Sequence, residues 1–207
     1  MEILREVYRG AKPALLYSSP YELLVAVILS AQCTDERVNK VTHELFKRCN
    51  TPEKMCQLSQ QELEGYIFSC GLYRSKAAHI LSASKDICDR FFGEVPTTVA
   101  ELKSLAGVGQ KTANVVYSVA FGGDAIAVDT HVFRVSNRLG LAKGDTPKKV
   151  EEGLNKAIPK EEWSKAHHYL IYHGRRICHS QKPECGICPL KELCDYAKKK
   201  GSVTSRD

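Results

Sequence analysis

A chain of 207 residues has room for one or two domains, and 43% hydrophobic residues suffice for a sizeable core. Charged residues make up 26% and the net charge is +6, a mild basic excess that suits a nucleic-acid partner without requiring one. The charged start Met1-Glu2-Ile3-Leu4-Arg5-Glu6 has no signal-peptide core, and the longest apolar run, Leu23 to Leu29, is far too short to span a bilayer. The expectation is a cytosolic protein with no membrane partner.

Helical signals fill the chain. Ser19-Pro20-Tyr21-Glu22 combines an N-cap serine, a proline at the first helical position and a glutamate three residues past the cap. The run behind it, Leu23 to Leu29, is apolar on all sides and predicts a central buried helix. Val38, Val41, Leu45 and Phe46 share one face of the next helix. Ser59 opens a short helix, and Ala77, Ile80, Leu81, Ser84 and Ile87 mark a longer one. Thr98-x-x-Glu101 starts another, and a helix from Gln110 to Phe121 stops at Gly122-Gly123. Asp129 and Thr130 head a helix reaching Leu139, Thr146-Pro147 opens one, and Trp163, Ala166, Leu170 and Ile171 mark the last long one. Strand patterns are absent apart from a short extended piece at Ile126-Ala127-Val128, so the fold class is all-α.

Two segments carry chemistry. In Leu105-Ala106-Gly107-Val108-Gly109-Gln110-Lys111-Thr112 a glycine turn joins two helices. Glycine permits positive φ and close approach of a second backbone, and the following helix start presents unpaired N–H groups to a phosphate. A Walker loop is excluded, because Gln110 stands where a glycine must precede the lysine and because a helix, not a strand, comes before the turn. Lys111 offers an amine beside this site, and Asp129, in Val128-Asp129-Thr130-His131, a carboxylate.

The second segment is a cysteine cluster, Cys178, Cys185, Cys188 and Cys194, spaced Cys-x6-Cys-x2-Cys-x5-Cys. Four thiolates this close in a cytosolic chain point to a metal rather than to disulfides. Zinc and a [4Fe–4S] cluster both take four cysteines, and spacing alone leaves the metal open. The other five cysteines are scattered through helical segments as small core or half-exposed residues.

Taken in order, Ser30-Ala31-Gln32-Cys33-Thr34-Asp35, Gly71-Leu72-Tyr73-Arg74-Ser75-Lys76-Ala77, the Leu105–Val116 hairpin and helix, Val128 to Val135, His173-Gly174-Arg175 and the four cysteines resemble the endonuclease III family of DNA glycosylases over almost the whole chain. The resemblance implies two helical domains flanking a DNA-binding cleft. One is a six-helix bundle over 14–124 that ends in the helix–hairpin–helix. The other joins 1–13 to 125–207 and holds a [4Fe–4S] cluster on the four cysteines. It further implies a monomer of the prokaryotic nucleoid that removes oxidised pyrimidines from double-stranded DNA and then cleaves the abasic strand.

The residues can be read in those terms. A base inside a duplex is out of reach and must be flipped into a pocket. By the resemblance Gln32 and Leu72 fill the vacated space. Their local alternatives are a loop-capping glutamine and a core leucine. Breaking the glycosidic bond builds positive charge on the sugar, which a carboxylate at Asp129 would stabilise, though the same residue would also cap the Thr130 helix. Lys111 would attack C1′, provided burial and the positive helix end free its amine of a proton. The Schiff base so formed permits β-elimination. Gly107 and Gly109 would hold a backbone phosphate, and Lys182 resembles a DNA-contacting residue of the cluster loop, with Glu184 beside it opposing the charge. His131 is either a pocket residue or a structural one. An adenine glycosylase of the same superfamily would lack Lys111. A non-catalytic DNA-binding module would release no base, and an iron–sulfur electron carrier would need no hairpin.

Overall fold

The computed structural model describes residues 1–11 and 13–203, with side chains as far as Lys199. Among these residues the chain forms twelve α-helices and no strand. They are α1 (Glu2–Val7), α2 (Pro20–Ser30), α3 (Asp35–Arg48), α4 (Pro52–Met55), α5 (Gln60–Ile67), α6 (Tyr73–Phe91), α7 (Val99–Lys103), α8 (Gln110–Phe121), α9 (Thr130–Leu139), α10 (Pro147–Ala157), α11 (Trp163–Arg176) and α12 (Asp195–Val203).

The starts follow local chemistry. Ser19 Oγ accepts the Glu22 N–H at 3.2 Å, and Thr34, Thr51, Thr98 and Thr146 cap α3, α4, α7 and α10 in the same way. Ser59 and Glu62 complete a reciprocal capping box at α5. Gly122 (φ 67°) and Gly140 (φ 80°) end α8 and α9 in the left-handed conformation that only glycine adopts without strain. No described helix is long and apolar enough to cross a membrane.

The chain divides into two compact units. Unit 2, Pro13–Gly123, is built around α2, whose residues Leu23 to Leu29 are all buried, with α3, α6 and α8 packed on it. It holds seven α-helices rather than the six implied by the resemblance, because Thr51 and Pro52 start one extra turn at α4. Unit 1, Met1–Lys12 with Asp124–Asp207, packs α9 against α11 over Val132, Val135, Ala166 and Leu170. The N-terminal α1 joins this unit through Leu4 and Tyr8. Ile126 to Val128 runs through its core as irregular chain, without a partner strand among the described residues. The Ala127 carbonyl accepts instead from His167 Nδ1 at 2.8 Å. In the tail, Lys198 and Lys199 are exposed on α12, and the side chain of Lys200 lies outside the described residues.

Candidate functional site

The hairpin lies between α7 and α8. Leu102, Leu105 and Val108 anchor it in the core. Gly107 has φ 74°, and a Cβ there would lie 2.8 Å from His79 Cβ, so both the conformation and the space demand glycine. Gly109 differs. Its φ of −84° suits any residue, and a Cβ would meet nothing within 4 Å. Positive φ therefore demands glycine at Gly107 alone, and at Gly109 a missing side chain matters only to something approaching from outside. Gly109 is the N-cap of α8 and supplies no side-chain acceptor, which leaves the first-turn N–H groups without a cap. Lys111 stands in that turn and is exposed, so the folded unit alone does not enclose its amine.

Gln32 and Leu72 sit on two adjacent turns of the same unit. Gln32 (φ 52°) lies between α2 and α3, and Leu72 (φ 58°) is the N-cap of α6. A left-handed conformation costs a residue with a Cβ about 1–2 kcal/mol, so two such residues side by side are unusual. The turns touch, since a Cβ on Gly71 would lie 3.2 Å from the Gln32 carbonyl oxygen. Both side chains point outward, and Leu72 is 61% exposed, which overturns the core alternative for it. Within this unit α6 and α8 are the two helices without a side-chain cap, and they begin at Leu72 and Gly109.

Asp129 belongs to the other unit. It is half-buried, and its Oδ1 accepts the Val132 N–H at 2.7 Å, capping α9. His131 has a structural bonding pattern: Arg134 Nη2 donates to its Nδ1 at 3.1 Å, and Gly174 packs so closely that a Cβ would come within 2.9 Å of His131 Cβ. Burial, above all, pushes the His131 imidazole below its ordinary pKa and so favours the neutral ring.

Cys178, Cys185, Cys188 and Cys194 line one small cavity with Leu139, His173 and Tyr196. All four thiols are free of disulfides. Around one cavity rather than at one point, they fit a group of several atoms, and no three described His, Cys, Asp or Glu side chains gather closely enough for a single ion. Donors surround the thiols. Arg138 Nη1 reaches Cys178 Sγ at 3.5 Å and the His179 carbonyl at 2.5 Å, while Arg134 Nε donates to the Cys178 carbonyl at 3.0 Å. His173 is buried, pushed down to about 4 by desolvation, with Tyr8 Oη 3.1 Å from its Nδ1. Such groups stabilise thiolate charge and fix the loop. Lys182 is exposed at the tip with φ 47°, and Glu184 turns to His179 at 3.2 Å rather than to Lys182.

Sequence reasoning missed Lys76, His79, Arg138 and His173 as supports of these sites. Lys76 and His173 stood inside the segments that carry the resemblance without a role of their own, and Arg138 recurs four residues after Arg134 on one face of α9.

Residues 25–160 match the HhH-GPD superfamily of base excision DNA repair proteins, and residues 178–194 match the iron–sulfur binding domain of endonuclease III. Endonuclease III of Rickettsia conorii is 50% identical over 195 residues, 94% of this chain and 93% of its own. Endonuclease III of Escherichia coli is 47% identical over 196 residues, 95% and 93% respectively. A solved structure of a trapped endonuclease III–DNA covalent intermediate superposes with a TM-score of 0.92 at 50% identity, covering 97% of this chain and 94% of that one. The cofactor is a [4Fe–4S] cluster, in keeping with the matched iron–sulfur segment. On this agreement along nearly its full length, the chain belongs to the endonuclease III family within the HhH-GPD superfamily of base excision DNA repair proteins.

Proposed function

We propose that this chain, a base excision repair DNA glycosylase with abasic-site lyase activity, removes oxidised pyrimidines from duplex DNA with Lys111 as nucleophile and Asp129 as the catalytic carboxylate. The observation that carries the reading is the hairpin: an obligatory glycine turn at Gly107, an unobstructed Gly109, and an uncapped helix start bearing an exposed lysine. A phosphate held by the N–H groups there places the sugar of the neighbouring nucleotide within reach of an amine on the same turn.

The sequence of events follows from the groups present. Gln32 and Leu72, exposed on paired turns, enter the space left by the flipped nucleotide. Positive charge grows on the sugar as the glycosidic bond breaks, and Asp129 stabilises it through the oxygen not committed to Val132. The neutral Lys111 amine bonds to C1′ as the base departs with its electron pair and is protonated. Ring opening gives the Schiff base, whose acidified C2′ loses a proton while the 3′ phosphate leaves. DNA bound over Lys111 supplies the enclosure that the folded unit lacks.

Cys178, Cys185, Cys188 and Cys194 hold the [4Fe–4S] cluster, whose iron–thiolate bonds brace the loop on which Lys182 meets the DNA backbone. The protein acts as a monomer at the prokaryotic nucleoid. The test is direct: purified protein is incubated with a duplex containing one thymine glycol, and the free base is quantified by mass spectrometry. Release from that duplex, and none from the undamaged control, is expected. Equal or absent release from both would overturn the lesion assignment.

A further inference from the structure

Beneath the Gln32 and Leu72 turns lies a buried lysine. Lys76 is 4% exposed and sits on α6, one turn after Leu72. Its Nζ donates to the Leu29 carbonyl at 2.8 Å and to the Ala31 carbonyl at 2.6 Å, while its backbone N–H donates to the Leu72 carbonyl at 3.0 Å. Both carbonyls accepting from Nζ belong to the last turn and C-cap of α2, a helix that carries no basic residue of its own there. The ammonium therefore sits at the negative end of α2 and satisfies acceptors that α2 leaves unpaired.

A buried charge is a costly way to fill space. Desolvation holds Lys76 below the ordinary lysine pKa, opposed only in part by the thiols of Cys70 and Cys33. Methionine would occupy the same volume without that cost. What methionine lacks is the pair of charged hydrogen bonds that tie α6 to the end of α2, the residue before Gln32 included. Those bonds span the two left-handed residues, each of which needs its surroundings to hold it.

We propose that Lys76 is a positioning residue for base extrusion: its ammonium, bonded to the Leu29 and Ala31 carbonyls, locks the Gln32 and Leu72 turns together so that both side chains are presented to DNA as one preformed wedge. The proposal rests on the reading of Gln32 and Leu72 as the residues that fill the vacated space.

The test compares two rates for each variant: single-turnover base release from a fully paired thymine glycol duplex, which needs the wedge, and cleavage of a single-stranded abasic oligonucleotide, which does not. In Lys76→Met the ratio of the first rate to the second falls by about tenfold or more. Lys76→Arg, which keeps charge and donors, recovers most of it. In parallel, 2-aminopurine opposite the lesion brightens less on binding Lys76→Met than on binding wild type. A Lys76→Met ratio equal to wild type, with Leu72→Ala and Gln32→Ala both impaired, overturns the role of Lys76 alone. If Leu72→Ala and Gln32→Ala also keep the wild-type ratio, the wedge reading fails and the proposal with it. Should Lys76→Met not fold, Lys76→Gln, with one donor group and no charge, is read against the same criterion.

Discussion

The Oδ1 of Asp129 accepts the backbone N–H of Val132 at 2.7 Å, so one oxygen of the proposed catalytic carboxylate also opens α9. The two tasks separate by substitution. Asparagine keeps an N-cap acceptor, and Asp129→Asn should unfold within about 0.5 kcal/mol of wild type while base release falls by about 10²-fold or more. Asp129→Ala should lose the cap as well, at about 1 kcal/mol. Chemical denaturation alongside single-turnover kinetics distinguishes the two variants.

The hairpin glycines predict opposite phenotypes. Gly107→Ala forces a Cβ to 2.8 Å from His79 Cβ at φ 74° and should destabilise the protein by about 1–3 kcal/mol, visible as a lowered Tm. Gly109→Ala meets open space at an ordinary φ, so its Tm should stay near wild type. Its methyl group would instead stand where a phosphate approaches, weakening binding to any duplex irrespective of sequence. Titrations with undamaged DNA at several salt concentrations check this.

The contrast between these glycines shows what was legible beforehand. Helix starts were, because Ser19, Ser59, Thr98, Asp129 and Thr146 act on N–H groups only two or three residues away. The stop at Gly122 was legible for the same reason. Gln32, Leu72 and Lys182 were recognised by resemblance, but their left-handed backbone was not, since nothing in a glutamine, leucine or lysine announces positive φ. Lys76 was missed because a lysine is ordinarily exposed, and its two acceptors lie 45 and 47 residues away. The one-turn α4 was overlooked because four residues give no periodicity.

Removing one thiol tests the cluster loop. Cys188→Ser should lose the visible absorption of the [4Fe–4S] cluster and loosen the loop carrying Lys182. DNA affinity should fall with a shallower salt dependence, reporting a lost phosphate contact. Lys182→Ala should lower affinity in the same direction while keeping the absorption.

Acid should weaken unit 1 through His168. Burial holds its folded pKa below the ordinary value of 6.5. Below 6.5 the unfolded chain therefore binds a proton that the folded chain resists, so stability is fully present above that pH and declines as the pH falls through it. Denaturation curves at pH 7.5, 6.5 and 5.5 (values set about the ordinary histidine range) should show this decline, and His168→Gln should reduce it, the remainder coming from His131 and His173, which burial also holds below the ordinary value.

The most direct measurement is a borohydride trap with Lys111→Gln at its side. Wild-type protein is mixed with a thymine glycol duplex and borohydride, and the products are separated on a denaturing gel, with the adduct mapped by peptide mass spectrometry. Lys111 as the nucleophile predicts a stable protein–DNA adduct mapped to that residue, and none in Lys111→Gln although that variant still binds the duplex. An undiminished adduct in Lys111→Gln, or one mapped to another amine in the wild type, would contradict it.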